Sequence, residues 1–290
     1  MTKASRKTPN SLRLDPDHPD FPIEVRNMLR PPSALYLVGV LPQRRNIAIV
    51  GTRRATLPAL NFTHDLAARL CRDGWSIWSG GAAGIDSAAH KGAIEAGGKT
   101  VVVMGTGFKH PYPTDNEPLF TQVIESDGCW LSLLDDNQVG TRWSFLERNE
   151  LLASMVEHVI VVQAPLRSGA RSTMAAARRM GKTTWAVPGA PWDNASEGCL
   201  LEIEAGATAL HYAEQITGRS RPTARTPPKS LSPDERRVLD IVKQNPVHLD
   251  EICLLSGLSV ATTAATALSL TLKRLLLESA DGRYIINGAC

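Results

Sequence analysis

Trp75-Ser76-Ile77-Trp78-Ser79-Gly80-Gly81-Ala82-Ala83-Gly84-Ile85-Asp86-Ser87-Ala88-Ala89-His90 runs from an apolar stretch through a glycine-rich turn into a helical pattern. A turn of this kind between a buried strand and a helix has two physical uses. Glycine lets backbone N–H groups face one concavity at a helix start, which suits a phosphate. The same turn also serves as a tight, ligand-free connection, and a glycine-rich loop alone does not separate the two.

The pattern around this stretch repeats. Asn46 to Val50 is a continuous apolar run closed by Gly51, and Leu57 to Cys71 has helical spacing. Ile85 to Ala96 is helical, Thr100 to Met104 is a run closed by Gly105, and Glu117 to Ser126 is helical. Cys129 to Leu134, His158 to Val162 and Thr183 to Val187 read as further strands, with helices over Ser144 to Ser154 and Ser172 to Met180. Continuous rather than alternating apolar strands, separated by helices, predict a sheet covered on both faces. The fold class is therefore α/β: an extended Rossmann-like, doubly wound, mostly parallel sheet, with ligands expected beyond the strands' carboxyl ends. The turns after Val50, Ser79 and Met104 all fall at that edge.

Residues 1–45 form a lead-in, with Met1 to Arg13 read as a polar, mobile tail and a short strand after Pro31-Pro32. Residues 46–215 make the Rossmann-like domain, and the Pro-, Ser-, Thr- and Arg-rich stretch 216–231 a linker. Residues 232–290 open on Ser232-Pro233-Asp234-Glu235, a capping-box signature. Helical patterns at Glu235 to Lys243, Leu249 to Leu255 and Val260 to Leu277, then a hairpin around Asp281-Gly282, give a small C-terminal winged-helix-like domain. Its last helix lacks Lys and Arg over Ser259 to Leu272, which argues against tight DNA binding there and leaves protein docking or stabilisation.

A net charge of +3 announces no nucleic-acid binder, so any basic footprint has to be local. The five cysteines are scattered without a C-x-x-C pair, which fits a reducing compartment and supplies no zinc spacing. No stretch approaches the length of a membrane span, and the expectation is a soluble cytoplasmic protein. No Gly-x-x-x-x-Gly-Lys-Ser/Thr loop, Gly-x-Ser-x-Gly elbow, spaced histidine cluster or paired acid and base appears. Catalysis, metal and cofactor are accordingly not expected.

Binding candidates gather at the same edge. Gly51-Thr52-Arg53-Arg54 pairs guanidinium forks with a turn, against the plainer alternative of a surface Arg pair. Ser79, Gly80, Gly81 and Gly84 form the second turn, and Asp86 reads as a helix cap. Lys109 lies in a third loop with Tyr112, and Asn116 is placed to cap the next helix. Arg148 sits among apolar helix neighbours, while Arg167 and Arg171 flank the turn Ser168-Gly169.

The ordered set Ile47-Ala48-Ile49-Val50-Gly51-Thr52-Arg53-Arg54, Ser79 to Asp86, Gly105-Thr106-Gly107 with Tyr112-Pro113, Phe145-Leu146-Glu147-Arg148-Asn149, Ser168-Gly169 and Val187-Pro188-Gly189 resembles the DprA/Smf family of bacterial DNA-processing proteins. The resemblance covers Asp15 to Leu210 and implies a non-enzymatic, homodimeric single-stranded DNA binder. Such a protein loads RecA onto incoming DNA in natural transformation and helps displace single-strand binding protein. It also implies that Gly51-Thr52-Arg53 lies in the DNA pocket, with Arg53 foremost. Two departures stand out: Glu150 replaces the family's second Arg, and no full SAM-like domain precedes the sheet. The competing reading is a nucleotide-processing enzyme of the lysine-decarboxylase-like Rossmann group. That group carries Pro-Gly-Gly-x-Gly-Thr with a following Glu, where this chain has Pro188-Gly189-Ala190-Pro191.

Overall fold

The computed structural model describes residues 11–219 and 231–287, apart from Asn27, Leu29, Arg44, Arg274 and Ala280. The chain divides into two compact units, Met1–Arg219 and Ser220–Cys290. The linker proposed over 216–231 falls largely outside the described residues.

The first unit is built on nine strands: β1 Leu12–Leu14, β2 Leu35–Gly39, β3 Arg45–Val50, β4 Trp75–Ser79, β5 Thr100–Met104, β6 Cys129–Ser132, β7 His158–Val161, β8 Thr183–Ala186 and β9 Thr208–Ala209. Its helices are α1 Ile23–Arg26, α2 Leu57–Arg72, α3 Ile85–Glu95, α4 Glu117–Glu125, α5 Arg142–Ser154, α6 Ala170–Arg179, α7 Glu197–Glu204 and α8 Glu214–Thr217. The sheet order is β1-β2-β6-β5-β4-β3-β7-β8-β9. From β6 to β9 every pairing is parallel, while β2 joins β6, and β1 joins β2, antiparallel.

Alternation along each strand explains the two helical layers. Ala48, Val50, Trp78, Val101, Val103, Val159 and Val161 share a core with Leu151 and Leu152 of α5 and Met174 and Ala177 of α6. Ile47, Ile49, Ile77, Ile160 and Val162 turn the other way, toward Leu66 and Leu70 of α2 and Ala89 and Ala93 of α3. Side chains of period two thus feed opposite faces of one sheet. The chain walks outward from β3 to β6, then returns to start β7 on the other side of β3. The carboxyl ends of β3 and β7 are therefore the point where strand order reverses, and a crevice opens there.

Two sequence expectations change here. Leu12–Leu14 is a strand rather than tail: it pairs in register with Leu35–Leu37, and Leu14 is fully buried. A three-residue strand is too short to carry a periodic signal. Asn116 makes no side-chain cap to α4; its Nδ2 donates instead to Gly81 O at 2.8 Å and Ser87 Oγ at 2.9 Å, bracing the glycine turn.

The second unit holds α9 Pro233–Val242, β10 Val247–His248, α10 Leu249–Ser256, α11 Val260–Leu272, β11 Leu276–Glu278 and β12 Arg283–Ile286. The strands form a small antiparallel sheet, β10-β12-β11. The capping box forms, with Glu235 N donating to Ser232 Oγ at 3.1 Å and Ser232 N to Glu235 Oε2 at 2.9 Å. Lys273 and Ser269 also bond this carboxylate, and these contacts bring its pKa down to about 2. The last helix is shorter than its pattern predicts, because Leu276 and its neighbours pair with β12 and bury Leu276. A leucine run satisfies either period, and the sheet decides. No single helix among the described residues is long and apolar enough to cross a membrane.

Candidate nucleic-acid interface

A cavity of about 560 Å³ opens at the reversal point, beyond β3, β4 and β7. Three segments frame it. The first is the Gly51–Arg54 turn. Thr52 N donates to Gln163 O at 2.7 Å, Ile85 N donates to Thr52 O at 3.3 Å, and Thr56 N donates to Gln163 Oε1 at 2.9 Å. These bonds tie the turn to the end of β7 and to α3, while Arg53 and Arg54 stay exposed.

The second segment is the glycine turn, and of its two sequence readings the tight connection describes it better than the open cradle. Gly80 N and Ala82 N donate to Asp86 Oδ2 at 3.1 and 3.3 Å. The chain's own carboxylate thus takes N–H groups that an external phosphate would want. Ser79 is fully buried, with Oγ donating to Ile49 O at 2.6 Å. Gly84 has φ +79°, and a Cβ there would lie 2.4 Å from Thr52 O. Glycine at this position lets the two turns touch.

The third segment is α5. Arg142, Phe145, Leu146, Asn149 and Leu152 line the cavity at helical spacings of three and four. The sequence pattern starts this helix at Ser144. The Thr141–Ser144 capping box moves the start to Arg142 and brings that guanidinium to the rim, a residue that pattern reading missed.

Arg148 forms the floor. It is 8 % exposed, and its Nη1 donates to Gly80 O and to Val103 O, the latter at 2.7 Å. Its Nε donates to Asn149 Oδ1 at 3.1 Å. A Cβ on Gly80 would lie 2.3 Å from this Nη1, so the guanidinium depends on glycine there. Burial lowers the Arg148 pKa, the Asp86 charge opposes that, and Arg53 adds to it. Burial also raises the Asp86 pKa, against the pull of Arg148 and the turn's N–H groups. His90 lies deeper, its pKa pushed down to about 3 by burial. Thr100 Oγ1 donates to Ile77 O at 2.7 Å, so it accepts from His90 Nδ1, also at 2.7 Å, and the imidazole is neutral.

Five guanidiniums (Arg53, Arg54, Arg142, Arg148 and Arg167) and one carboxylate, Asp86, line the cavity. Arg53, Arg54, Arg142 and Arg167 are exposed, and none has an ion-pair partner among the described residues. The start of α6, Ser168 to Ala170, adds a helix N-terminus with no acid in its first turn. The lining contains no histidine, cysteine, lysine or tyrosine. With Asp86 spent on backbone donors, the lining is chemically suited to an anion and offers no paired general acid and base.

Of the sequence candidates, the cavity collects Gly51, Thr52, Arg53, Arg54, Gly80, Arg148 and Arg167. Ser79, Gly81 and Gly84 are not in the lining: Ser79 is buried on Ile49 O, Gly81 faces Val102 and Phe120, and Gly84 packs on Thr52 O. Lys109 lies on a neighbouring loop with its Nζ on Asn137 Oδ1 at 3.0 Å. Arg171 lies outside the lining, its Nε donating to the buried Glu202 at 2.8 Å in a cluster shared with Arg178. Glu150 accepts from Arg179 Nη2 at 2.9 Å, away from the cavity.

The sequence model of the family described as DNA recombination-mediator protein A matches residues 13–220, and that of the DprA winged helix domain matches residues 222–282. A putative DNA processing protein DprA of Mycobacterium tuberculosis is 35% identical over 83% of this chain and 64% of its own length. This chain thus spans slightly under two thirds of that relative. The crystal structure of DprA from Streptococcus pneumoniae superposes with a TM-score of 0.68 at 28% identity, covering 74% of this chain and 76% of that one. DprA from Helicobacter pylori, whose structure describes a single-stranded DNA binding mode, gives 0.63 at 28% identity, covering 72% and 94%.

Proposed function

We propose a single-stranded DNA-binding role from one premise: the chain belongs to the DNA recombination-mediator protein A family. The observation that carries the reading is the convergence of five guanidiniums on one cavity, four of them exposed and unpaired among the described residues. Such a cluster, fed by a helix N-terminus, neutralises the phosphates of a flexible strand. Backbone recognition carries no base code, so binding is sequence-tolerant. The relative from Helicobacter pylori supports the same ligand class. Delivery of RecA to the bound strand, displacement of single-strand binding protein, action in natural transformation and pairing with a second copy rest on family membership.

Fluorescence anisotropy with a labelled oligo-dT tests the binding half. Arg53→Ala weakens affinity about tenfold and flattens the salt slope by about 0.7. Unchanged affinity in a folded variant removes Arg53 from the interface. The mediator half is read by RecA ATP hydrolysis on DNA pre-covered with single-strand binding protein. The wild-type chain accelerates it; no acceleration would leave DNA binding without loading.

A further inference from the structure

Tyr112 lies just beyond the cavity lining, on the loop that follows β5. Its ring meets Phe145 edge-on, with centroids 5.6 Å apart and planes at 66°. The Arg53 guanidinium carbon stands 5.8 Å from the Tyr112 ring centre. Phe145 is itself held: a Cβ on Gly105 would lie 2.5 Å from its ring, and Ser144 Oγ donates to Gly105 O at 2.7 Å. The loop is pinned by Gly107 N donating to Gln138 O at 2.8 Å and Lys109 N to Asp136 O at 3.0 Å. Tyr112 nevertheless remains 49% exposed.

Tyr112 thus presents a fixed, half-exposed aromatic face beside the Arg53 guanidinium. Resting on the single-stranded DNA reading above, we propose that Tyr112 is the base-stacking platform of the site. The nucleobase attached to a phosphate held by Arg53 stacks on its open ring surface. Every base has a π-face, so the contact adds affinity without a sequence code. Arg53 then serves both the phosphate and the ring, which its charge attracts. The other exposed aromatic of this region, Trp143, does not fit. On α5 it falls on the side away from the cavity-lining stripe, in line with Glu147 and Glu150, whose charge repels a phosphate strand.

The test compares an oligo-dT with an abasic oligonucleotide of equal length, using the full chain and anisotropy over several salt concentrations. Tyr112→Ala is expected to weaken dT binding about tenfold, to leave abasic binding unchanged and to keep the salt slope. Tyr112→Phe is expected to bind dT as the wild type does. Should Tyr112→Ala fail to fold, Tyr112→Leu keeps an apolar contact on Phe145 while removing the aromatic face, with the same expectations. Equal dT affinity in the Ala or Leu variant overturns the proposal. Parallel loss on dT and abasic strands with a flatter salt slope also overturns it, because Tyr112 would then act only by positioning Arg53. A wild-type chain that binds neither oligonucleotide overturns the DNA reading itself.

Discussion

Arg148→Met lowers the stability of the first unit by about 3–5 kcal/mol. The guanidinium is nearly fully buried and bonds two carbonyls from different strand ends, Gly80 O and Val103 O. Methionine fills the space but leaves both acceptors buried and unsatisfied, at about 1–3 kcal/mol each. It also removes the cation that opposes the burial of Asp86. The pH dependence follows from that carboxyl. Its folded pKa is raised, so its contribution to stability is lost as pH rises from the unfolded value through the folded one. Removing Arg148 raises the folded value further, and the deficit is larger at pH 8 than at pH 5. Adding Asp86→Asn recovers part of it. All six tryptophans lie within residues 75–192, so denaturant unfolding followed by tryptophan fluorescence reports this unit alone. A variant within about 0.5 kcal/mol of wild type would show that Arg148 is not the floor's structural tie.

The second large effect is on binding. Joint replacement of Arg53, Arg54, Arg142 and Arg167 by Ala lowers single-strand affinity by at least about a hundredfold. Each has its charge facing solvent at the cavity with no carboxylate drawn to it among the described residues. Substitution therefore breaks no described ion pair, and the fold is retained, surface changes costing about 0.5 kcal/mol or less each. Arg171 behaves differently. It is bound to Glu202, which is 1% exposed at its side chain, so its replacement unsettles a buried carboxylate rather than a free anion site.

Much of this was legible in the residues because strands buried on both faces leave an unmistakable trace. Thr100 to Met104 and Trp75 to Ser79 coincide with β5 and β4, and the turns that follow lie at the edge where the cavity opens. The resemblance to the DprA/Smf family rested on the same turns, and the family model covers them. Tertiary pairing, by contrast, is silent in a one-dimensional pattern. Glycine spacing leaves the turn open between a phosphate cradle and a ligand-free connection, and Asp86 reads as a cap of its own helix. Instead it makes no cap to α3 and folds back to accept from Gly80 and Ala82, which nothing local announces. Likewise Arg171 and Arg167 read alike as charges beside one turn; only Glu202, far along the chain, distinguishes them. Arg142 was lost to a two-residue uncertainty in where α5 begins.

In the proposed function, one cluster of arginines at the sheet's reversal point, without ion-pair partners among the described residues, holds the DNA backbone. This role is tested most directly by the slope of log affinity against log salt for an oligo-dT, in the wild type and in the four-arginine variant. The wild-type slope is expected to be steep and to flatten by about 3 in the variant, since each lost phosphate contact removes about 0.7 for a single strand. A folded variant that keeps the wild-type slope and affinity would contradict it, placing the DNA on another surface of the chain.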